Sequence, residues 1–190
     1  MDDTKELGTN GFFVITGGPG VGKTALLHEL QERFFTCIPE VAREIIKEQV
    51  AVQGDALPWK NKELYLKMMF DRSVDSYRAA QTNNNSLVFF DRGIPDSLTY
   101  AEIIGFEKTK AMDIAARHYR YNQTVFFLSP WRDIYKTDDE RKQSWEEAVV
   151  SSELNAEIYR RYHYTLISVP NDSPEKRAEF ILAWIGKMNL

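Results

Sequence analysis

The run Gly17-Gly18-Pro19-Gly20-Val21-Gly22-Lys23-Thr24 constrains this chain more than any other stretch. It matches G-x-x-x-x-G-K-[ST], a pattern that average residue usage produces by chance at roughly one in 30,000 positions. Ahead of it stands Gly11-Phe12-Phe13-Val14-Ile15-Thr16, an apolar run of strand length. Behind it Leu26, Leu27, Leu30 and Phe34 recur at helical spacing. Strand, glycine loop and helix in that order is the setting in which this motif wraps phosphate. Glycines let backbone N–H groups close around an anion, and the following helix directs its positive end at it. The whole loop from Gly17 to Thr24 is therefore read as contacting a nucleotide triphosphate, with Lys23 bridging the β- and γ-phosphates and the Thr24 hydroxyl ligating Mg²⁺. The competing reading is a glycine-rich β–α turn that binds nothing.

The rest of the chain continues the alternation. Thr36-Cys37-Ile38-Pro39 is a short second strand, and Val41, Ala42, Ile45, Ile46 and Val50 mark one face of a helix that Gly54 to Trp59 breaks. A third helix over about 61–81 turns Leu64, Tyr65, Met68, Met69 and Tyr77 inward. Ser86-Leu87-Val88-Phe89-Phe90 reads as a buried strand ending at Asp91. The polar loop Arg92 to Asp96 follows, with Asp96 or Ser97 capping a helix over about 97–104. A further helix covers about 109–121, a fourth strand 124–128, a long helix ends near Tyr164, and 166–169 is a fifth strand. Ser173-Pro174 opens a last helix that buries Phe180, Ile181, Trp184, Ile185 and Met188. This order predicts an α/β fold: a doubly wound, parallel five-stranded sheet flanked by helices. One domain over 11–190 follows a loose tail at 1–10.

Composition excludes several classes. A net charge of −4 over 190 residues is not the footprint of a nucleic-acid binder. Cys37 is the only cysteine, so no internal disulfide forms, and the three histidines give no zinc spacing. No window of 18 apolar residues is present, and the acidic, polar start is no secretory signal, so the expected location is cytoplasmic.

Ligands of such sheets sit beyond the carboxyl ends of the strands, where this sequence concentrates its polar residues. Asp91 closes a buried strand as a Walker B aspartate does, and would hold Mg²⁺ opposite Thr24, directly or through water. Arg92 is a candidate clamp on phosphate or substrate, or else one half of an internal salt bridge. Glu40 follows strand 2, where a carboxylate can accept a proton from an acceptor hydroxyl and Arg43 can orient the substrate. The alternative for Glu40 is a carboxylate favoured by the helix dipole. The charged stretch 131–142 reads as a candidate lid, with Arg132 and Arg141 reaching the transferring phosphoryl, or as a solvated helix start.

These blocks together (GGPGVGKT at 17–24, PEVAREI at 39–45, FFDRGIPDSLTY at 89–100, VFFLSPWRDIY at 125–135, DDERKQSWEEA at 138–148, SVP at 168–170) resemble the AAA-domain-like group of P-loop ATP/GTP-binding proteins that includes ribosylnicotinamide-kinase-like domains. The resemblance spans roughly residues 11–186. It implies a kinase-like P-loop fold with strand order 2-3-1-4-5, and ATP or GTP with Mg²⁺. A wider similarity to thymidylate and deoxynucleoside kinases implies that Asp91-Arg92 is their Asp-Arg block after the third strand and Tyr100 its tyrosine, that Glu40 is the carboxylate after strand 2, and that 132–141 is the arginine-bearing lid; Arg92, Asp96 and Tyr100 are candidates for binding the acceptor. Gly93 and the acidity of that lid depart from the pattern.

The function expected is phosphoryl transfer from ATP to a small nucleoside- or nucleotide-like acceptor. The alternative is an ATP- or GTP-hydrolysing switch acting on a protein partner. An N/T-K-x-D guanine signature is missing after strand 4, where Ser129-Pro130-Trp131 stands. A ring-forming AAA+ motor would carry a helical lid domain with a sensor arginine after the core, and only one last helix is expected there.

Overall fold

The structure is a computed structural model and describes residues 11–82, 87–135 and 144–188. Five parallel strands form its sheet: β1 (Phe12–Gly17), β2 (Thr36–Ile38), β3 (Val88–Asp91), β4 (Thr124–Leu128) and β5 (Thr165–Val169). Their order is β2-β3-β1-β4-β5, the kinase-like order. The helices are α1 (Lys23–Glu32), α2 (Val41–Ala51), α3 (Lys62–Gln81), α4 (Ile94–Ile103), α5 (Lys110–His118), α6 (Trp145–Arg161) and α7 (Pro174–Gly186). A short 3₁₀ turn covers Arg132–Ile134.

Alternate strand residues face opposite sides of a sheet, and two cores result. Phe12, Val14, Val88, Phe90 and Val125 face the side packed with residues of α3, α4 and α6. Phe13, Ile15, Phe89, Phe126 and Leu128 face the side closed by α1 and α7. Covering both faces is what buries every position of β1 and β4. Among the described residues no helix is long and apolar enough to cross a membrane.

Several local expectations need correction. α1 ends at Glu32, and Phe34 adopts a positive φ of 65° and is 98% exposed. Phe35 packs on the Phe89 ring instead, at 5.6 Å. Val50, Leu64 and Trp184 are also exposed rather than inward. α4 starts at Ile94, earlier than 97, with Gly93 as its N-cap. Pro95 falls in its first turn, where a missing N–H costs nothing. Asp96 accordingly lies inside the helix, and its carboxylate reaches back to the Gly93 N–H at 2.9 Å. α5 stops at His118, short of 121.

Candidate nucleotide and acceptor site

β1 delivers the glycine loop to the carboxyl edge of the sheet, between β3 and β4. Gly17 has φ +145°, and a Cβ there would stand 2.2 Å from the Leu128 carbonyl oxygen. Only glycine lets the loop turn off β1 so close to β4. The buried Lys23 ammonium folds over the loop and donates to the carbonyls of Gly18 (2.8 Å) and Gly17 (3.2 Å). Burial, with the Arg92 charge nearby, lowers its pKa to about 8.

A cavity of about 540 Å³ opens on this loop. All of Gly17 to Thr24 line it, and Glu40, Arg43, Arg92, Asp96 and Tyr100 line it too. The chain thus brings together in one space residues that its sequence scatters over some eighty positions. Arg92 holds φ +70° just past β3. Its Nε donates to Glu40 Oε1 at 2.8 Å, and its Nη1 to Asp96 Oδ1 (2.9 Å) and to the Gly17 carbonyl (3.1 Å). Glu40 Oε2 pairs with Arg43 Nε at 3.2 Å. Burial alone would raise the Glu40 pKa, but Arg92, Lys23 and Arg43 outweigh it and hold the carboxyl at about 2. Arg92 is thus one half of internal salt bridges, and it also borders the cavity.

Asp91 is nearly buried. Its Oδ1 has no hydrogen-bond partner, and burial raises its pKa to about 6. It borders a smaller cavity shared with Glu40, Arg92 and Asp96 rather than the large one. The Thr24 hydroxyl is exposed on the large cavity. No cluster of three or more acidic, histidine or cysteine ligands exists among the described residues. One hydroxyl and one orphaned carboxylate oxygen fit Mg²⁺, which is bound chiefly by substrate phosphates and its own waters; Thr24 and Asp91 are the residues that would hold it.

Arg132 is exposed and lies over the Trp145 ring, its guanidinium carbon 5.1 Å from the centroid. It does not line the cavity, although Ile134, two residues on, does. Arg141 and most of the expected lid lie outside the described residues.

Sequence reasoning missed the buried group that holds Arg92 in place. Asp96 accepts five hydrogen bonds: at Oδ1 from Thr16 Oγ1 (2.7 Å), Arg92 Nη1 and Asn155 Nδ2 (3.0 Å), and at Oδ2 from Gly93 N and the Tyr159 hydroxyl (2.5 Å). With both oxygens filled, Asp96 organises the site more than it offers itself to a ligand. Gly93 fits this arrangement, since a Cβ there would stand 3.0 Å from the Tyr159 hydroxyl and from the Tyr121 ring. Arg177 was missed as well. It is buried on α7, donates to the carbonyls of Val21 (2.8 Å) and Pro170 (3.1 Å), and lies 4.9 Å from the Trp131 ring centroid. A signal existed for both. Asn155 and Tyr159 fall on the buried stripe of α6, and Arg177 on that of α7, where an apolar face should carry no polar residue without a partner.

The comparisons with known proteins agree with this geometry. The family model AAA_28, an AAA domain, matches residues 12–177. No curated protein sequence matches the chain. Similar solved structures include shikimate kinase from Acinetobacter baumannii in complex with shikimate (TM-score 0.59, 15% identity, 96% of each chain covered). Thymidylate kinase from Ehrlichia chaffeensis gives 0.61 at 14% identity, covering 92% of this chain and 97% of that one. NadR protein in complex with NR gives 0.64 at 16% identity, covering 94% of this chain and 52% of that one. At such identities the likeness establishes the fold: a P-loop kinase sheet with its helices. The phosphate loop, the strand order and the matched span together make this chain a member of the AAA_28 family of AAA-domain proteins.

Proposed function

We propose that this protein is a Mg²⁺-dependent phosphotransferase that moves the γ-phosphoryl of ATP or GTP to a hydroxyl of a small nucleoside- or nucleotide-like acceptor. One observation carries the reading. The phosphate loop and the group Glu40, Arg43, Arg92 and Tyr100 border the same cavity of about 540 Å³, so donor and acceptor have adjoining places. Its volume is that of a small-molecule site.

The contacts support a role for each residue. Loop N–H groups from Gly20 to Thr24 cradle the β- and γ-phosphates, and Lys23 exchanges its carbonyl partners for phosphate oxygens. Thr24, and Asp91 through water, would hold Mg²⁺, which when bound offsets phosphate charge. Arg92, fixed at Nε and Nη1, keeps Nη2 uncommitted among the described residues and turns it to the transferring group. Arg132 and Arg141 join it as the lid closes. Glu40 and Arg43 orient the acceptor, and Tyr100 borders its body. A carboxyl held at about 2 is a weak base, which suits a loose transition state in which positioning and charge do most of the catalysis. The acceptor oxygen bonds to phosphorus, the bond from phosphorus to the β–γ bridging oxygen breaks, and the hydroxyl proton leaves along Glu40 to solvent.

The test is incubation with Mg-ATP or Mg-GTP and a panel of nucleosides, nucleotides and pyridine ribosides, following ADP or GDP and phosphorylated product. Acceptor-dependent release that vanishes in Lys23→Ala is the expected result. Slow release indifferent to every acceptor would defeat the kinase reading and leave an NTP-driven switch with a protein partner.

A further inference from the structure

The acceptor end of the cavity has a charge balance that its residue names conceal. Two arginines border it, Arg43 and Arg92, and both are already paired. Arg92 meets Glu40 at 2.8 Å and Asp96 at 2.9 Å, and Arg43 meets Glu40 at 3.2 Å. Lys23 belongs to the phosphate loop. Among the described residues, then, the acceptor end offers two cations matched by two carboxylates.

Beyond this paired group the wall changes character. Ile46, Pro58, Tyr65, Met69, Tyr100 and Ile103 line it. The Tyr65 and Tyr100 rings meet edge to face, 5.3 Å apart at 82°. Ile103 is 48% exposed although it borders a cavity, so a ligand seated there would cover apolar surface now facing solvent. Burial keeps both phenols protonated, the Tyr100 group being pushed up to about 12 and Tyr65 further still. Nothing on this wall carries charge.

From these contacts we infer that the acceptor is an uncharged alcohol with a ring or other apolar body, a nucleoside rather than a nucleotide or a carboxylate. Its hydroxyl lies at Glu40 and Arg92, and its body against Tyr100 and Ile103. A phosphate or carboxylate on the acceptor would add negative charge beside two arginines whose charge Glu40 and Asp96 already offset, or else shed its water against an apolar wall. Either course is costly, because a buried charge without a partner is strongly unfavourable. The inference rests on the phosphotransferase reading for the hydroxyl's role, but not for the shape and charge of the wall.

The experiment is therefore one of binding. The full chain is loaded with Mg²⁺ and a non-hydrolysable ATP or GTP analogue. Common ribo- and deoxyribonucleosides, each paired with its own 5′-monophosphate, are then measured by equilibrium dialysis. The expected result is at least one nucleoside held about tenfold or more tighter than its monophosphate, the margin that one uncompensated charge readily exceeds. Ile103→Lys, a change on the exposed rim, should narrow that margin by supplying an unpaired cation. A monophosphate bound as tightly as its nucleoside in the unmodified protein overturns the inference, and so does failure of every nucleoside to bind. Nucleoside binding without phosphorylation in the turnover assay would instead leave this inference standing and sink the kinase reading.

Discussion

Asp96 shows how one side chain can hold a site together. Its five donors arrive from β1, the β3–α4 turn and α6, and one of them is the Arg92 guanidinium. Tyr159 is the most informative of these to remove, because it bonds to Asp96 without itself lining the cavity. Tyr159→Phe keeps the ring packed and deletes one hydrogen bond to a charged group, a loss of about 1.5–3 kcal/mol. Urea unfolding should show that loss, while the variant retains nucleotide binding. If stability is unchanged, the 2.5 Å contact adds nothing to what the other four donors provide.

At the level of elements, the start of α6 matters most, because the candidate lid leads into it. Ser144 and Glu147 form a reciprocal cap: Ser144 N donates to Glu147 Oε2 at 2.7 Å, and Glu147 N to Ser144 Oγ at 3.2 Å. Removing such a cap costs about 1 kcal/mol. Ser144→Ala should therefore lower the melting temperature by a few degrees; an unchanged melting curve would show that packing alone fixes this helix. Elements were the readable part of the sequence. Phe12, Phe13, Val14 and Ile15 could only belong to a strand covered on both faces, and Leu26, Leu27 and Leu30 only to an amphipathic helix. Boundaries were less readable, as with α4, because Gly93, Pro95 and Asp96 suit a loop and a first helical turn equally well until Asp96 is seen reaching back to the Gly93 N–H. The phosphate loop needed no tertiary knowledge, since its residues are neighbours in the chain. The support beneath Arg92 did, since Thr16 and Asn155 meet Asp96 only after the chain has folded.

The whole molecule is organised around a strand that comes first and sits in the middle. β1 pairs with β3 on one side and β4 on the other, with Val14 opposite Phe90 and Val125. A sheet built this way closes long loops before it gains its contacts, which slows folding. Gly17 is shaped to the Leu128 carbonyl, so the phosphate loop has no finished wall until β4 is in place. The consequence reaches synthesis on the ribosome. A nascent chain that has emerged only as far as α5 already carries the complete Gly17–Thr24 signature, yet lacks the strand that frames it. Stalled chains ending before Thr124 should show no retention of labelled nucleotide, while chains with β4 and β5 clear of the exit tunnel should acquire it. Retention by the shorter chains would mean that the loop assembles without its sheet. The signature is translated before β4 and is expected to become competent only after it.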